Sequence, residues 1–217
     1  MNMPEALPIL DAVELRVLGS LIEKSRATPD YYPMTVNAIT LACNQKTSRK
    51  PVVNYDDETV IEALNTLKRR GLVSTATGGS SRAIKYKHNF AIVYPLIPAE
   101  LAIMCLLMLR GAQTPGEINT NAGRLYEFES IEEVQEMLEK LATEETPFVL
   151  QLPKRPGQKE ARYAHLLAGE PEISADDDDD QSTPRPGSGL ETRLARVEQE
   201  LAELREAFDK LMKELNG

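Results

Sequence analysis

Tryptophan is absent from this 217-residue chain, and aromatic residues make up only 5% of it, so any hydrophobic core must be mainly aliphatic. Cysteine is nearly absent too. Cys43 and Cys105 stand alone, which excludes a CxxC motif and favours two buried, inert thiols in a reducing compartment. The longest apolar stretch, residues 101–109, is too short to span a bilayer. The N-terminus shows no basic stretch followed by an apolar one. We therefore expect a cytoplasmic protein with no membrane partner.

The side chains that most enzymes depend on are scarce. The chain has two histidines, His88 and His165, and neither has a cysteine or histidine at metal-ligand spacing. No GxSxG nucleophile elbow, phosphate-binding P-loop or GxGxxG fingerprint occurs. The acidic cluster at residues 56–58 stands where a helix is predicted to begin, and carboxylates there are typical helix caps. We expect no enzymatic activity, no metal site and no cofactor.

Charge is distributed unevenly along the chain, whose formal net charge is −9. Residues 1–88 hold 12 Lys/Arg and 9 Asp/Glu and so carry +3, whereas residues 89–168 carry −4 and residues 169–217 carry −8. A surface that binds a polyanion is therefore expected in the first of these segments.

One order of predicted elements occurs twice. Residues 14–21 and 100–107 both place apolar residues at helical spacing, 86 positions apart, and a capping-box pattern of Asp11 and Glu14 opens the first helix. Each copy continues with a shorter helix, a longer third helix and a hairpin. The third helices run from residue 56 or 57 to about residue 70, and from residue 131 onward. The hairpin strands are predicted at residues 72–75 and 83–86, and at residues 148–151 and 161–163.

Three helices followed by a two-stranded wing is the winged-helix order. The predicted fold class is therefore mainly α with small β-hairpins (α+β): tandem winged-helix domains plus a C-terminal coiled-coil helix. A single α+β domain is the alternative. The predicted domains are residues 1–92, residues 93–168, an acidic disordered linker at 169–189 and a coiled coil at 190–217.

The coiled coil is predicted from a heptad pattern near the C-terminus. Apolar residues alternate there at spacings of four and three: Leu190, Leu194, Val197, Leu201, Leu204, Phe208, Leu211 and Leu215. Charged pairs beside this seam favour a parallel homodimer, and a helix that folds back on its own chain is the alternative. The preceding linker contains an aspartate run, residues 176–180, which could compete with nucleic acid for basic residues of the first copy.

Several sequence segments resemble those of the YceH-like family of uncharacterised bacterial proteins. They are residues 28–33 (TPDYYP), 42–46 (ACNQK), 67–73 (LKRRGLV), 109–117 (LRGAQTPGE) and 155–163 (RPGQKEARY). The resemblance covers most of residues 10–170. It implies tandem winged helices with a coiled-coil tail, and it implies no particular activity, cofactor or site residue.

Nucleic-acid contacts are predicted in the first copy. The loop at residues 44–50 combines three cations with amides and hydroxyls, all suited to phosphates. The candidate phosphate ligands are Lys46, Arg49, Lys50, Arg82, Lys85 and Lys87. Asn65 and Arg69, on the outward face of the third helix, are the candidate base readers. Against base reading, that face begins with Glu58 and Glu62.

Two functions from different classes follow from these residues. The first is a DNA-binding, regulator-like protein that contacts the phosphates of double-stranded DNA through domain 1. The alternative is a non-catalytic adaptor whose winged-helix modules bind a protein partner, which suits the acidic second copy and the acidic linker.

Overall fold

The computed structural model describes residues 6–76, 83–154, 158 and 160–171. The predicted coiled coil at residues 190–217 lies outside the described residues, as does the predicted linker beyond residue 171. Residues up to Pro171 form one compact unit. The boundary proposed between residues 92 and 93 remains a prediction.

The first half of this unit contains three α-helices and a hairpin. The α-helices are α1 (Ala12–Ala27), α2 (Val36–Cys43) and α3 (Asp57–Arg69), with a short 3₁₀ helix at Pro29–Tyr31, and the strands are β1 (Val73–Ala76) and β2 (Lys85–His88). The predicted capping box of α1 is confirmed. The backbone N–H of Glu14 donates to Asp11 Oδ1 at 2.8 Å, and the N–H of Asp11 donates to Glu14 Oε2 at 3.0 Å.

The second half repeats this order after a four-residue helix. Its elements are α4 (Phe90–Val93), α5 (Pro98–Arg110), α6 (Pro115–Ala122), α7 (Ile131–Thr143), β3 (Val149–Gln151) and β4 (Tyr163–His165). Thr114 caps α6, Pro115 is its first residue and Glu117 closes a capping box. The described chain is thus a mixed α/β protein with seven α-helices and two small antiparallel hairpins, which confirms the predicted order of elements. None of the described helices is long and apolar enough to cross a membrane.

Both hairpins are extended by a bridge from the segment before the second helix of their half. Met34 bridges Tyr86 of β2, and Gln113 bridges Tyr163 of β4. The N–H of Tyr86 donates to Met34 O at 2.7 Å, and the N–H of Met34 donates to Tyr86 O at 3.1 Å. The paired strand is centred near Tyr86, and β2 therefore begins at Lys85, two residues after the predicted start at residue 83.

The capping glutamate of each first helix has a second role. Glu14 is 3% exposed and lies 3.8 Å from Arg70 Nε, just after α3, while Glu100 is 1% exposed and accepts a short hydrogen bond from Lys140 on α7. Each half therefore ties its first helix to its third helix by an ion pair at a buried cap.

One apolar core runs through both halves, because α1 packs along α5. Leu18 and Leu21 on α1 and Ile103 and Leu107 on α5 are fully buried. The N–H of Leu10, before α1, also donates to Leu167 O, after β4, at 2.7 Å. The two halves are therefore packed as one body.

Close packing of α1 on α5 depends on Gly19. A Cβ atom there would lie 2.9 Å from Leu109 Cδ2 and 3.3 Å from Met108 Cβ. We expect Gly19→Val to lower the free energy of unfolding by about 1–3 kcal/mol, because an overpacked core must shift to admit the added methyl groups. Urea denaturation measures this. Gly123→Ala is the control, since nothing lies within 4 Å of its Cβ position, and equal stability of Gly19→Val and wild type would contradict the packing described.

Candidate nucleic-acid interface

The basic loop, residues 44–50, starts where α2 ends. Asn44 caps α2, and its side chain pairs with the backbone of Tyr55. Nδ2 donates to Tyr55 O at 2.7 Å, and Oδ1 accepts from the Tyr55 N–H at 2.8 Å. This pair closes the base of the long connection between α2 and α3. Lys46 and Lys50 are exposed on that connection.

Arg49, a predicted phosphate ligand, lies inside the protein. Its side chain is 0% exposed, and its guanidinium pairs with the Glu23 carboxylate at 3.0 Å (Nη1–Oε1) and 2.6 Å (Nη2–Oε2). Nε donates to Ala42 O at 3.1 Å, and Nη1 donates to Ser48 O at 3.0 Å. Burial alone would raise the pKa of Glu23, but Arg49 and Lys24 together lower it below its ordinary value. This placement does not fit a phosphate contact, so we assign Arg49 the structural role of anchoring the loop.

A second buried guanidinium, missed by the sequence analysis, supports the same loop. Arg16 on α1 is 4% exposed. Its Nη1 donates to Cys43 O at 3.1 Å, and its Nη2 donates to Pro51 O at 2.6 Å. Burial lowers the pKa of Arg16, and the nearby charge of Arg49 lowers it further. The sequence signal that could have indicated a buried Arg16 is its position among the apolar residues of 14–21.

The second half of the protein also holds this loop. The N–H of Lys50 donates to Leu109 O, near the end of α5, at 2.8 Å. Arg110 Nη2 donates to Ser48 Oγ at 2.8 Å. The conformation in which Lys46 and Lys50 are presented therefore depends on contacts from both halves.

Among its described residues, the first hairpin presents one clearly exposed cation. Lys87 is exposed, Lys85 is half-buried, and Tyr86 between them is buried against the core. Ile84 is 62% exposed, since it precedes the paired part of β2. Arg82, another predicted phosphate ligand, lies outside the described residues.

The last turn of α1 connects the loop to the hairpin. Lys24 Nζ lies 3.5 Å from Gln45 Oε1 in the loop, and Ser25 Oγ lies 3.1 Å from His88 Nε2 at the end of β2. Arg26, the next residue, is exposed; burial is the main cause that lowers the pKa of His88, and the nearby charge of Arg26 lowers it further. We call the cations of these three neighbouring segments the basic surface: Lys24, which is ion-paired with Glu23 at 3.1 Å, and Arg26 on α1, Lys46 and Lys50 in the loop, and Lys85 and Lys87 on β2. The two cations on α1 were not predicted as part of this surface, because cations in the last turn of a helix commonly offset its dipole.

The exposed face of α3 is as predicted. Glu58, Glu62, Asn65 and Arg69 are all exposed, and Arg69 donates to Thr66 Oγ1 at 2.9 Å. The N-terminal half of this face is therefore acidic. Its polar and basic groups lie toward the C-terminal end of the helix.

The second half has a contrasting third helix. Glu132, Glu136 and Glu139 are exposed on α7, while Glu133 is half-buried and accepts a hydrogen bond from the Tyr126 hydroxyl at 3.1 Å. This acidic face repels a polyanion, which favours the first half as the place of any polyanion-binding surface.

His88 and His165 occupy matching positions at the ends of β2 and β4. Burial lowers the pKa of each to about 4, and in both rings Nδ1 is buried and accepts no hydrogen bond from a described residue. Within the described ranges, no group of three or more His, Cys, Asp or Glu side chains could hold a metal ion. The two thiols are buried as predicted, and burial raises the pKa of Cys43 and Cys105.

The histidines predict a pH dependence of stability. Their folded-state pKa lies below the unfolded value of 6.5, so the unfolded chain binds protons more readily and stability falls as the pH drops from 6.5 toward 4. We expect a loss on the order of 1 kcal/mol per histidine between pH 7 and pH 5. Urea denaturation at both pH values measures it. The double variant His88→Gln/His165→Gln should lose much less over this interval, and an equal loss would show that other groups are responsible.

The fold and its surface define a class of protein: a mixed α/β chain built from two repeated helix-and-hairpin halves, with a basic surface on the first half. A protein family described as "Protein of unknown function, DUF480" matches residues 10–158. The chain belongs to this family, DUF480/UPF0502, whose members are uncharacterised bacterial proteins.

Relatives in this family are similar over nearly their whole length. A UPF0502 protein of Solibacter usitatus is 46% identical over 203 residues, which cover 92% of this chain and 95% of the relative. A UPF0502 protein of Opitutus terrae is 42% identical, with 93% and 85% covered, and one of Geobacter sulfurreducens is 44% identical, with 90% of each covered. The YceH-like resemblance is thereby confirmed.

Proposed function

We propose that this protein binds double-stranded DNA as a regulator-like, tandem winged-helix protein, and that its first half contacts the phosphate backbone. The order of three helices and a hairpin in each half supports the winged-helix interpretation. The isolated β-bridges also support the winged-helix interpretation. In each half, the segment before the second helix pairs with the second strand of the hairpin, through Met34 and Tyr86 in the first half and Gln113 and Tyr163 in the second.

The observation that carries the proposal is the basic surface. Contacts of the last turn of α1 bring the loop of Lys46 and the strand of Lys87 to one region of a chain whose formal net charge is −9. Lysine and arginine side chains there can neutralise phosphates, which is the main source of affinity in sequence-independent binding. Arg49 contributes indirectly, because it anchors the loop from inside.

Contacts to the backbone are favoured over base reading. The exposed face of α3 begins with Glu58 and Glu62, and carboxylates at the start of a reading helix would be repelled by phosphates. Asn65 and Arg69, further along the same face, remain the candidates for a base contact. The predicted homodimer through residues 190–217 would present two such surfaces and raise the overall affinity.

The experiment is a fluorescence-anisotropy titration of labelled duplexes of unrelated sequence with the full chain. We expect binding to all of them at low salt, with an affinity that falls steeply as salt is added, because bound phosphates release counterions. Absence of binding to any duplex in dilute buffer would refute the proposal.

A protein-binding adaptor is the second candidate function, and the acidic exposed face of α7 favours it. Affinity capture of the chain from a bacterial lysate, with and without nuclease, separates the two. Under DNA binding, nucleic acid accompanies the chain and nuclease removes it. A stoichiometric protein partner that resists nuclease, with no nucleic acid retained, supports the adaptor.

A further inference from the structure

Ser48, in the middle of the basic loop, has an unusual backbone conformation. Its φ is 62°, in the left-handed region, and among the described residues it is the only one besides glycines with a positive φ. A residue with a Cβ atom rarely adopts this conformation, which persists only where the surrounding structure fixes it. The contacts of Ser48 therefore determine the path of the loop.

Two guanidinium groups, one from each half of the protein, hold Ser48. Nη1 of Arg49, in the loop itself, donates to Ser48 O at 3.0 Å. Nη2 of Arg110, in the second half, donates to Ser48 Oγ at 2.8 Å. The backbone is tied to α5 as well, since the N–H of Lys50 donates to Leu109 O at 2.8 Å. Ser48 is thus fixed both by its carbonyl oxygen and by its side chain.

The helix that carries Arg110 aims it at the loop. Arg110 is the last residue of α5, and Gly111 ends the helix with a φ of 77°. Arg110 is half-buried; burial lowers its pKa, the Glu23 carboxylate opposes this, and the charge of Arg49 lowers the pKa further. A cation in a last turn commonly offsets the helix dipole, and that role needs no hydrogen bond to another segment. The bond to Ser48 therefore gives Arg110 a second role, in the other half of the protein.

We propose that Arg110 is a positioning residue for duplex binding, through which the second half sets the affinity of the basic loop for phosphates. This inference rests on the proposed function. Lys46 and Lys50, on either side of Ser48, are exposed. A loop that already has its binding conformation loses less conformational entropy on binding than a flexible loop. Arg110 acts by removing this cost of ordering, without itself contacting a phosphate.

The test is a double-mutant cycle on duplex affinity, measured by fluorescence anisotropy with the full chain. Arg110→Met removes the donor of the bond, and Ser48→Ala removes the acceptor. Each should weaken binding about three- to tenfold, because one hydrogen bond that orders the loop is lost. The double variant should bind no more weakly than either single variant. Additive losses would overturn the proposal. Ser48 is half-buried in a loop, so Ser48→Ala tests the bond even if Arg110→Met fails to fold.

The salt dependence separates positioning from direct contact. Loss of a phosphate contact makes the slope of log K against log salt concentration shallower by about 0.9. Arg110→Met should leave the slope unchanged, because the bound complex keeps all its phosphate contacts. Arg124→Met is the charge control, since Arg124 is exposed and lines the same surface cleft as Ser48 and Arg110, and it should bind close to wild type. A shallower slope for Arg110→Met, or equal weakening by Arg124→Met, would overturn the proposal.

Hydrogen exchange of the loop amides, residues 46–50, measures the positioning in the absence of DNA. Arg110→Met and Ser48→Ala should both exchange faster than wild type, because the loop opens more often, whereas Arg124→Met should not. Unchanged exchange in both variants would overturn the role of Arg110 and leave the proposed function intact. Failure of wild type to bind any duplex would refute the proposed function itself, and the positioning role with it, whatever the exchange rates.

Discussion

Replacing Arg49 by methionine is expected to destabilise the protein by about 3–5 kcal/mol, because it leaves the Glu23 carboxylate beside an apolar group in a largely buried site. The Arg49 side chain is 0% exposed and that of Glu23 is 16% exposed. The carbonyls of Ala42 and Ser48 lose a donor as well. Urea denaturation measures the change.

Two further variants show whether loss of the Arg49–Glu23 ion pair causes the destabilisation. Glu23→Met combined with Arg49→Met should be more stable than Arg49→Met alone, since it removes the largely buried carboxylate and loses with it only the contact to the more exposed Lys24. Arg69→Met, an exposed cation, should change stability by no more than about 0.5 kcal/mol. If Arg49→Met is as stable as Arg69→Met but binds duplex DNA more weakly, Arg49 is a phosphate ligand after all and the structural role is refuted.

Reversing three charges of the basic surface is expected to weaken duplex binding strongly. A contact with one phosphate contributes about tenfold to affinity at 0.1 M salt, since the salt dependence has a slope of about −0.9 per phosphate. The variant Lys46→Glu/Lys50→Glu/Lys87→Glu should therefore bind on the order of a thousandfold more weakly than wild type. Fluorescence anisotropy with a fixed duplex measures the loss.

Single charge reversals within the basic surface, Lys46→Glu and Lys87→Glu, need a control variant that changes the net charge by the same amount. Lys154→Glu changes the charge by the same amount as Lys46→Glu, and Lys154 is an exposed residue of the second half. Lys46→Glu and Lys87→Glu should each lower affinity about tenfold, with Lys154→Glu close to wild type. Similar losses from all three would mean that net charge, rather than the basic surface, governs binding.

The local structure of this chain could be predicted well from its sequence. Capping residues such as Asp11 and Thr114 fixed the starts of α1 and α6, and apolar spacing identified α3 and α7. These signals act over a few residues, so a single sequence contains all of them. The short helices at Pro29–Tyr31 and Phe90–Val93 are too brief for any periodicity and were not predicted.

The arrangement of the basic residues could be predicted only in part. Lys46, Arg49 and Lys50 look alike in the sequence, yet the fold buries Arg49 and exposes the other two. Burial of Arg49 in the loop depends on Glu23, which lies 26 positions earlier on α1. The contact of the loop with the second half was not predicted at all, since contacts between distant segments such as Ser48 and Arg110 leave no periodic signal in the sequence.

The central claim, that the first half binds DNA through phosphate contacts of its basic surface, is tested most directly by the salt dependence of binding. The measurement is the slope of log K against log salt concentration, for wild type and for Lys46→Gln/Lys50→Gln/Lys87→Gln. We predict a steep negative slope for wild type that becomes shallower by about 2.7 in the variant, since three contacts are removed. A flat slope for wild type, or the same slope for both proteins, would contradict the claim.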